Sequence, residues 1–197
     1  EARRNPVHDP GDIHEAVGRI ALIRGDAPAA LAAFRRLAAL READPATPPA
    51  LRALADFRVA TALHRAGELE PAAALALAAL TRFLDSPQRH YAWVLAELRL
   101  GLGEILLDLG RADEARVHFE AGGRELGAIS EPDNPTLALL EFGAARTLAS
   151  TDPRRAEALA RAAATALHGY APGFTAEAAA VDRFLRDSFA TSPSGAN

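Results

Sequence analysis

The side chains that most often carry out chemistry are few in this 197-residue sequence, and their spacing does not suit catalysis. Six histidines occur, but none forms an i, i+4 pair or an HExxH motif, the spacings that place zinc ligands on one helix face. There is no cysteine, which excludes disulfides, thiolate nucleophiles and Cys-ligated zinc. No serine lies in a G-x-S-x-G setting. We therefore predict a non-enzyme that binds no metal and no cofactor.

Two remaining motifs have simpler explanations than a ligand site. Gly101-Leu102-Gly103 begins like a phosphate-binding fingerprint, but Leu106 stands where the third glycine belongs. Small residues at this point favour tight packing between helices. Asp113 and Glu114 fall in the first turn of a predicted helix, where negative charge interacts favourably with the helix dipole.

Composition narrows the kind of partner and the compartment. The net charge is −4, whereas a nucleic-acid partner would require a clustered basic surface. The apolar runs are far shorter than the roughly 18 residues that a membrane span needs, so we expect no membrane insertion. The lack of cysteine is compatible with a reducing compartment, and we expect a cytoplasmic location. Because the chain opens without methionine, we also expect a piece of a longer protein.

The elements that position these residues repeat along the chain. Gly25, Gly67 and Gly110 each separate two amphipathic, helix-sized stretches, and they lie 42 and 43 residues apart. A degenerate fourth turn occurs at Ser150–Asp152. Such a period is typical of a solenoid, in which neighbouring units stack because none can bury its apolar face alone. The 48 alanines favour helices that approach closely over many thin interfaces.

We therefore predict an all-α fold, an α-solenoid of about four helical hairpins plus a C-terminal capping helix, in a single domain over residues 1–190. The predicted repeats span about 10–44, 47–85, 87–129 and 135–168, and the capping helix spans 174–190 with a polar outer face. Residues 191–197 are predicted to be a disordered tail. In the first helix the i, i+3, i+4 spacing predicts a buried stripe formed by Ile13, Ala16, Val17, Ile20 and Ile23.

Leu102-Gly103, the run from Gly110 to Ala115, and then Phe119 together resemble the tetratricopeptide repeat (TPR). The small residue of the first helix is matched by Gly18, Ala60 and Gly143 in the other repeats. A period near 42 is similar to the long-repeat variety of kinesin light chains and of many bacterial signalling proteins. The segment Ala176–Leu185 is also similar to the ends of bacterial serine/threonine kinases that carry such repeats.

The resemblance implies a non-catalytic protein-interaction scaffold, the C-terminal part of a larger bacterial signalling protein, whose first helices line a concave peptide-binding surface. Transferring the register of the small positions gives the lining Glu15, Arg19, Phe57, Thr61, His64, Arg65, Glu97, Leu100, Glu104, Asp108, Leu140 and Thr147. Phe57 is the aromatic member and the expected anchor for a peptide. Arg65 and Glu104 would read charge on either side of it.

Two alternatives from other classes stay open. A helical sensor domain would bind a small peptide or metabolite and regulate an attached effector; a closed apolar pocket would favour it. A purely structural segment would form a dimer. We expect a monomer with a protein or peptide partner.

Overall fold

The computed structural model describes residues 10–170 and 172–189. Within them lie nine α-helices and no strand, which confirms the predicted all-α helical-repeat fold. The helices are α1 (Pro10–Ile23), α2 (Ala27–Ala43), α3 (Pro49–Arg65), α4 (Leu69–Leu84), α5 (Ala92–Asp108), α6 (Ala112–Gly127), α7 (Pro135–Leu148), α8 (Pro153–Gly169) and α9 (Thr175–Phe189). No helix of the described ranges has both the length and the apolar character to cross a bilayer. The predicted disordered tail lies outside them.

Side-chain caps and prolines fix where several helices begin. Asp26, Asn134 and Asp152 each accept a hydrogen bond from the backbone N–H three residues on, at 3.0, 3.2 and 3.1 Å. Each satisfies an N–H that has no partner inside the helix. A proline follows each cap within two residues, where its fixed φ suits the first turn.

The three spaced glycines form the turns of the first three hairpins. Gly25, Gly67 and Gly110 have φ values of +74°, +81° and +76°, a left-handed conformation that side chains with a Cβ rarely adopt. In the third hairpin the N–H of Arg111 then donates to the carbonyl of Leu106, five residues back, at 2.8 Å. The fourth turn has no such glycine, and Asp152 donates to Leu148, four residues back, at 2.8 Å. The fourth turn therefore closes one residue sooner.

The described residues fall into two compact units, 10–91 and 92–189, each with its own helix packing. In the first unit α1 packs on α2, α2 on α3 and α3 on α4. In the second, α5 to α9 pack in the same successive way, and α5 also packs on α7. The arrangement of all four hairpins in a single domain remains a prediction.

The small residues predicted at the closest approach of the hairpin helices lie there in two hairpins. A Cβ built on Gly103 would lie 2.6 Å from Cε1 of Phe119, and one built on Gly18 would overlap the ring of Phe34. Both phenylalanines are fully buried. The glycines therefore admit the aromatic ring of the second helix.

Burial corrects the register predicted for the fourth hairpin by two residues. The sequence predicts that Gly143 is the equivalent of Gly103. The equivalent residue in the structure is instead Ala145, which is fully buried. With that alignment the buried apolar positions of the two helices coincide: Leu98, Leu102 and Leu106 in α5, and Leu140, Ala144 and Leu148 in α7. Aligning Gly143 with Gly103 would make the fourth turn one residue longer than the third, whereas its backbone hydrogen bond shows that it is one residue shorter.

The predicted buried stripe of α1 is wrong. Ile13, Val17 and Ile20 are 57%, 49% and 49% exposed, Ile23 is 86% exposed, and Ala16 is exposed as well. The buried face carries Gly18 and Ala21 instead, because it is this side of α1 that meets the ring of Phe34.

The last helix has the character predicted for a cap. Ala178 and Val181 are buried in one cluster with Leu167 of α8. Arg183, Arg186 and Asp187 lie on its exposed side. An outer face of this kind leaves no apolar stripe for another helix.

Candidate interaction surfaces

In the first unit, the predicted lining residues are polar side chains on the surfaces of α1 and α3, with one exception. Glu15 accepts a bond from Arg58 at 3.3 Å, and the hydroxyl of Thr61 donates to the carbonyl of Phe57 at 3.0 Å. Arg19 and Arg65 are exposed, and His64 is half-buried. The remaining residue, Phe57, is only 3% exposed, so its assignment as an exposed anchor is wrong. The large apolar ring is part of the core.

In the second unit, Glu97, Leu100 and Glu104 are partly exposed on α5, and Asp108 is exposed. Glu104 accepts a hydrogen bond from Arg146 of α7 at 2.7 Å, which ties the two helices together along this surface.

The two predicted lining residues of α7 are not on that surface. Leu140 is fully buried, and Thr147 is 8% exposed with its hydroxyl donating to the carbonyl of Ala144 at 2.8 Å. Both assignments are wrong because they rest on the alignment with Gly143. The corrected register instead makes Phe142 the equivalent of Leu100 and Arg146 the equivalent of Glu104. The sequence holds no direct signal for these two residues, because the fourth turn has no glycine that marks its length.

Phe142 and Arg146 form a partly exposed aromatic and cationic cluster. The guanidinium of Arg146 lies 5.8 Å from the centre of the Phe142 ring, within the range of a cation–π interaction. The ring of Phe142 makes an edge contact with that of Phe184, at 5.5 Å between centroids. We call Leu100, Glu104, Phe142 and Arg146 the α5–α7 surface.

In the first helix of the second, third and fourth hairpins, a charged residue lies four positions before the small residue. In the second hairpin Asp56 pairs with Arg82 at 3.0 Å, and in the third Arg99 pairs with Glu125 through two bonds of 2.8 and 2.9 Å. The acidic and basic residues exchange places between the two pairs, but in both hairpins the ion pair joins the first helix to the second. Burial raises the pKa of Asp56 even beside Arg82.

In the fourth hairpin the same position is Glu141, and the residue opposite is Ala166, which cannot pair with it. Among the described residues Glu141 has no ion pair, and burial raises the pKa of its carboxyl. It lies in a cleft of about 270 Å³ between α6, α7 and α8, with Phe119, Leu137 and Leu159 among its apolar walls. An ion pair of Glu120 and Arg155 at 2.9 Å lies at the same cleft.

No arrangement for catalysis or metal binding emerges from these contacts. In the described ranges no group of three or more histidines and carboxylates lies close enough to hold a metal ion. His118 is half-buried, burial lowers its pKa, and its Nδ1 has no hydrogen-bond partner among the described residues.

Sequence comparisons give no family for the chain: neither a protein-family model nor a curated protein matches it. Structural comparisons do find similar folds. BtubC (BKLC) from P. vanneervenii is 17% identical, with a TM-score of 0.77 over 93% of this chain and 75% of its own. A Podosopora anserina putative kinesin light chain with TPR-like repeats, in two structures, is 13% and 14% identical, with TM-scores of 0.69 and 0.68. The matches cover 90% and 92% of this chain, and 88% and 92% of theirs.

A third similar structure is the Rap conjugation gene regulator of the plasmid pLS20 in complex with the Phr* peptide. It is 15% identical, with a TM-score of 0.75 over 96% of this chain, which spans half the length of that regulator. Together these structures confirm the predicted fold: the chain is a TPR-like helical-repeat protein.

Proposed function

We propose that this chain is a non-catalytic protein-interaction module that binds a peptide on the α5–α7 surface. The observation that carries the proposal is the ordered cluster of Glu104, Arg146 and Phe142, in which a 2.7 Å ion pair and a cation–π contact hold charged and aromatic groups side by side. The Rap regulator, a protein of similar fold, is known in complex with a peptide, which supports the same class of ligand here.

Phe142 takes the part that the sequence assigned to Phe57. It occupies the corresponding place in its helix, but its ring is partly exposed, whereas that of Phe57 is buried. Aromatic and arginine side chains contribute most at interface centres because they bury a large area with little loss of conformational freedom. Since the helices hold these groups in place before binding, little entropy is lost when a peptide docks.

The ligand that fits this surface has an apolar anchor beside charged residues. Leu100 and Phe142 offer apolar contact to the anchor. Glu104 and Arg146 form an ion pair with each other and lie beside that contact, where the charged residues of the ligand would be. Glu97 and Asp108, the remaining predicted residues of the second unit, would extend this contact. The predicted residues of the first unit, Glu15, Arg19, Thr61, His64 and Arg65, are proposed to line a peptide-binding surface within that unit. We further propose a bacterial signalling role in the cytoplasm, supported by the resemblance of Ala176–Leu185 to the ends of repeat-bearing kinases.

A second candidate is the small-molecule sensor, which the Glu141 cleft favours. Its volume of about 270 Å³ is close to the lower end of the range for small-ligand pockets, roughly 300 Å³. Because Arg124 and Arg155 line the cleft together with Glu141 and its apolar walls, a small polar ligand with an apolar body would fit it. The two candidates place the ligand on different residues, so one experiment separates them.

The test is to select peptides from a display library on the immobilised protein and measure their affinities by calorimetry. We expect Phe142→Ala to weaken binding roughly 5- to 150-fold, the range of a hot-spot aromatic, with circular dichroism verifying the fold. Val117→Ala, a change at a 61% exposed position of α6, is the matched control and should leave the affinity unchanged. Equal affinity for wild type and Phe142→Ala would reject the α5–α7 surface, and loss of binding in Glu141→Gln alone would favour the sensor.

A further inference from the structure

In the first unit, one arginine joins the second helices of two hairpins to the helix that lies between them. The Nη1 atom of Arg82 on α4 lies 3.1 Å from a carboxylate oxygen of Glu42 on α2. The same atom lies 3.0 Å from a carboxylate oxygen of Asp56 on α3. A single guanidinium therefore holds α4 to both α2 and α3.

In the second unit, the residues that take the places of this arginine and its outer partner are too small to do the same. Ala166 of α8 stands at the place of Arg82, and Gly127 of α6 stands at the place of Glu42, eight residues after the buried phenylalanine of each helix. The central carboxylate is kept as Glu141 of α7, which has no ion pair among the described residues. The carboxylate is thus retained without the cation that binds it in the first unit.

The Glu141 cleft, of about 270 Å³, lies between the corresponding three helices, α6, α7 and α8. Glu120 of α6 and Arg155 of α8 form an ion pair of 2.9 Å at this cleft, at positions where the first unit has Arg35 and Pro71. In each unit an ion pair therefore links the outer two helices, but only in the first does it also engage the central carboxylate. The cleft is closed at one position and leaves Glu141 accessible.

The walls of the cleft suit a ligand that is largely apolar between charged ends. Glu141 is half-buried, so a cation that binds its carboxylate would replace hydration that burial has already reduced. Gly123 lines the cleft without a side chain, and a Cβ built on it would meet no atom within 4 Å. The apolar walls are Phe119, Leu137 and Leu159.

Arg124 provides the second charge that a ligand would meet. It lines the cleft from the last turn of α6 and is exposed, and no ion pair involves it within the described ranges. Arg155, the other cation of the cleft, is already bound to Glu120. The charges left for a ligand are therefore a half-buried carboxylate and an exposed guanidinium. A molecule with a cationic group at its inner end and a carboxylate at its outer end matches both.

We propose that the Glu141 cleft binds an arginine that carries a free carboxylate, either the amino acid itself or the last residue of a peptide. Its guanidinium would bind Glu141 as that of Arg82 binds Asp56, its methylene groups would lie along the apolar walls, and its carboxylate would meet Arg124. A guanidinium fits better than an ammonium because its planar donors can bind a carboxylate through two bonds. The inference deepens the sensor candidate and rests on it, and it is independent of the α5–α7 surface.

The test compares four ligands by calorimetry on the full chain. Free arginine and the tripeptide Gly-Gly-Arg both carry the required groups, and the tighter of the two identifies the source of the ligand. Citrulline has an uncharged group in place of the guanidinium and should bind at least about tenfold more weakly than arginine. Agmatine lacks the carboxylate and should bind roughly two- to fivefold more weakly, because the contact that it loses is an exposed ion pair.

Four variants assign the binding to the cleft. Glu141→Gln should weaken arginine binding at least about tenfold. Glu157→Gln makes the same change on α8 outside the cleft and should bind normally. Ala166→Arg should prevent binding, because the new side chain would take the ligand's place beside Glu141. Gly123→Leu fills the open wall and should also prevent binding, and it serves as the second variant if Ala166→Arg folds poorly.

Several results would overturn the proposal. They are the lack of binding by both arginine and Gly-Gly-Arg at about 10 mM, equal affinity for citrulline or agmatine, and unchanged affinity in Glu141→Gln. Peptides selected from the display library separate this failure from the others. If they bind as proposed at the α5–α7 surface while arginine does not bind, only the cleft proposal falls. If arginine fails but a selected peptide loses affinity in Glu141→Gln, the sensor candidate stands with a different ligand.

Discussion

The third and fourth hairpins, α5–α6 and α7–α8, fill the same two positions with different chemistry. The third pairs Gly103 with Phe119 at the closest approach, and the aligned residues of the fourth are Ala145 and Ala160, both fully buried. All four of these residues are buried. At the charged position the third has the Arg99–Glu125 ion pair, and in the fourth Glu141 has no ion pair within the described part of the chain.

The comparison indicates that a hairpin admits different pairs of buried residues at these two positions. A glycine on one helix allows a phenylalanine on the other, and two alanines divide the space more evenly. Phe119 also reaches the next hairpin, since a Cβ built on Gly143 would overlap its ring. A single aromatic residue therefore joins α6 to both α5 and α7, a role that Ala160 is too small to perform. The third hairpin should consequently be the more sensitive to truncation.

The largest effect is expected from Phe119→Ala. Removing a fully buried ring leaves a cavity between Gly103 and Gly143 and should lower the free energy of unfolding by about 3–5 kcal/mol. Urea denaturation followed by circular dichroism measures it. Gly103→Ala combined with Phe119→Ala rebuilds the alanine pair of the fourth hairpin and should recover part of the loss. A double variant as unstable as the sum of the single variants would show that the two hairpins are not interchangeable solutions.

A smaller effect is expected from Gly103→Ala alone. The added Cβ lies 2.6 Å from the Phe119 ring, so the helices must shift, and overpacking of this kind costs about 1–3 kcal/mol. Gly123→Ala is the matched control, because no atom lies within 4 Å of its added Cβ. Within α6 that change should stabilise the protein by about 0.5–1 kcal/mol, since alanine favours helix over glycine. Thermal melts in which both variants change in the same direction would contradict the packing at Gly103.

The same residues show how far the sequence leads. The period of Gly25, Gly67 and Gly110 predicts the hairpins correctly because a left-handed turn leaves a direct trace in the sequence. Phe119 and Gly103 were identified for a similar reason: close approach restricts both residue types. Phe57 is placed wrongly because side-chain exposure depends on what packs from outside the helix, which a helical period does not record. Leu140 and Thr147 are placed wrongly because the predicted register of α7 is two residues out.

The α1 stripe illustrates that limit most directly. Its spacing correctly identifies an apolar face, yet the face is exposed because burial needs a neighbour as well as a pattern. Similarly, the fourth turn has no glycine to mark its length, so α7 could not be aligned from its own sequence. A two-residue error in a helix rotates a side chain through about 200°, enough to exchange a core position for a surface one.

The smallest expected change in stability comes from Glu141→Gln, a substitution at the charged position of the fourth hairpin. Burial raises the pKa of this carboxyl above its value in the unfolded chain, so the folded protein binds its proton more tightly. The resulting stabilisation is fully present below the unfolded pKa of 4.5 and is lost as the pH rises through the folded pKa. Glu141→Gln removes that loss and should stabilise the protein at pH 7 by less than about 1 kcal/mol, with little difference near pH 4.

Asp187→Asn, on the exposed side of α9, is the matched control, and its effect on stability should not depend on pH in this way. Urea melts at both pH values measure the difference. A destabilised Glu141→Gln variant at pH 7 would mean that the carboxylate has a favourable partner after all, as Arg99 and Asp56 do in their own hairpins.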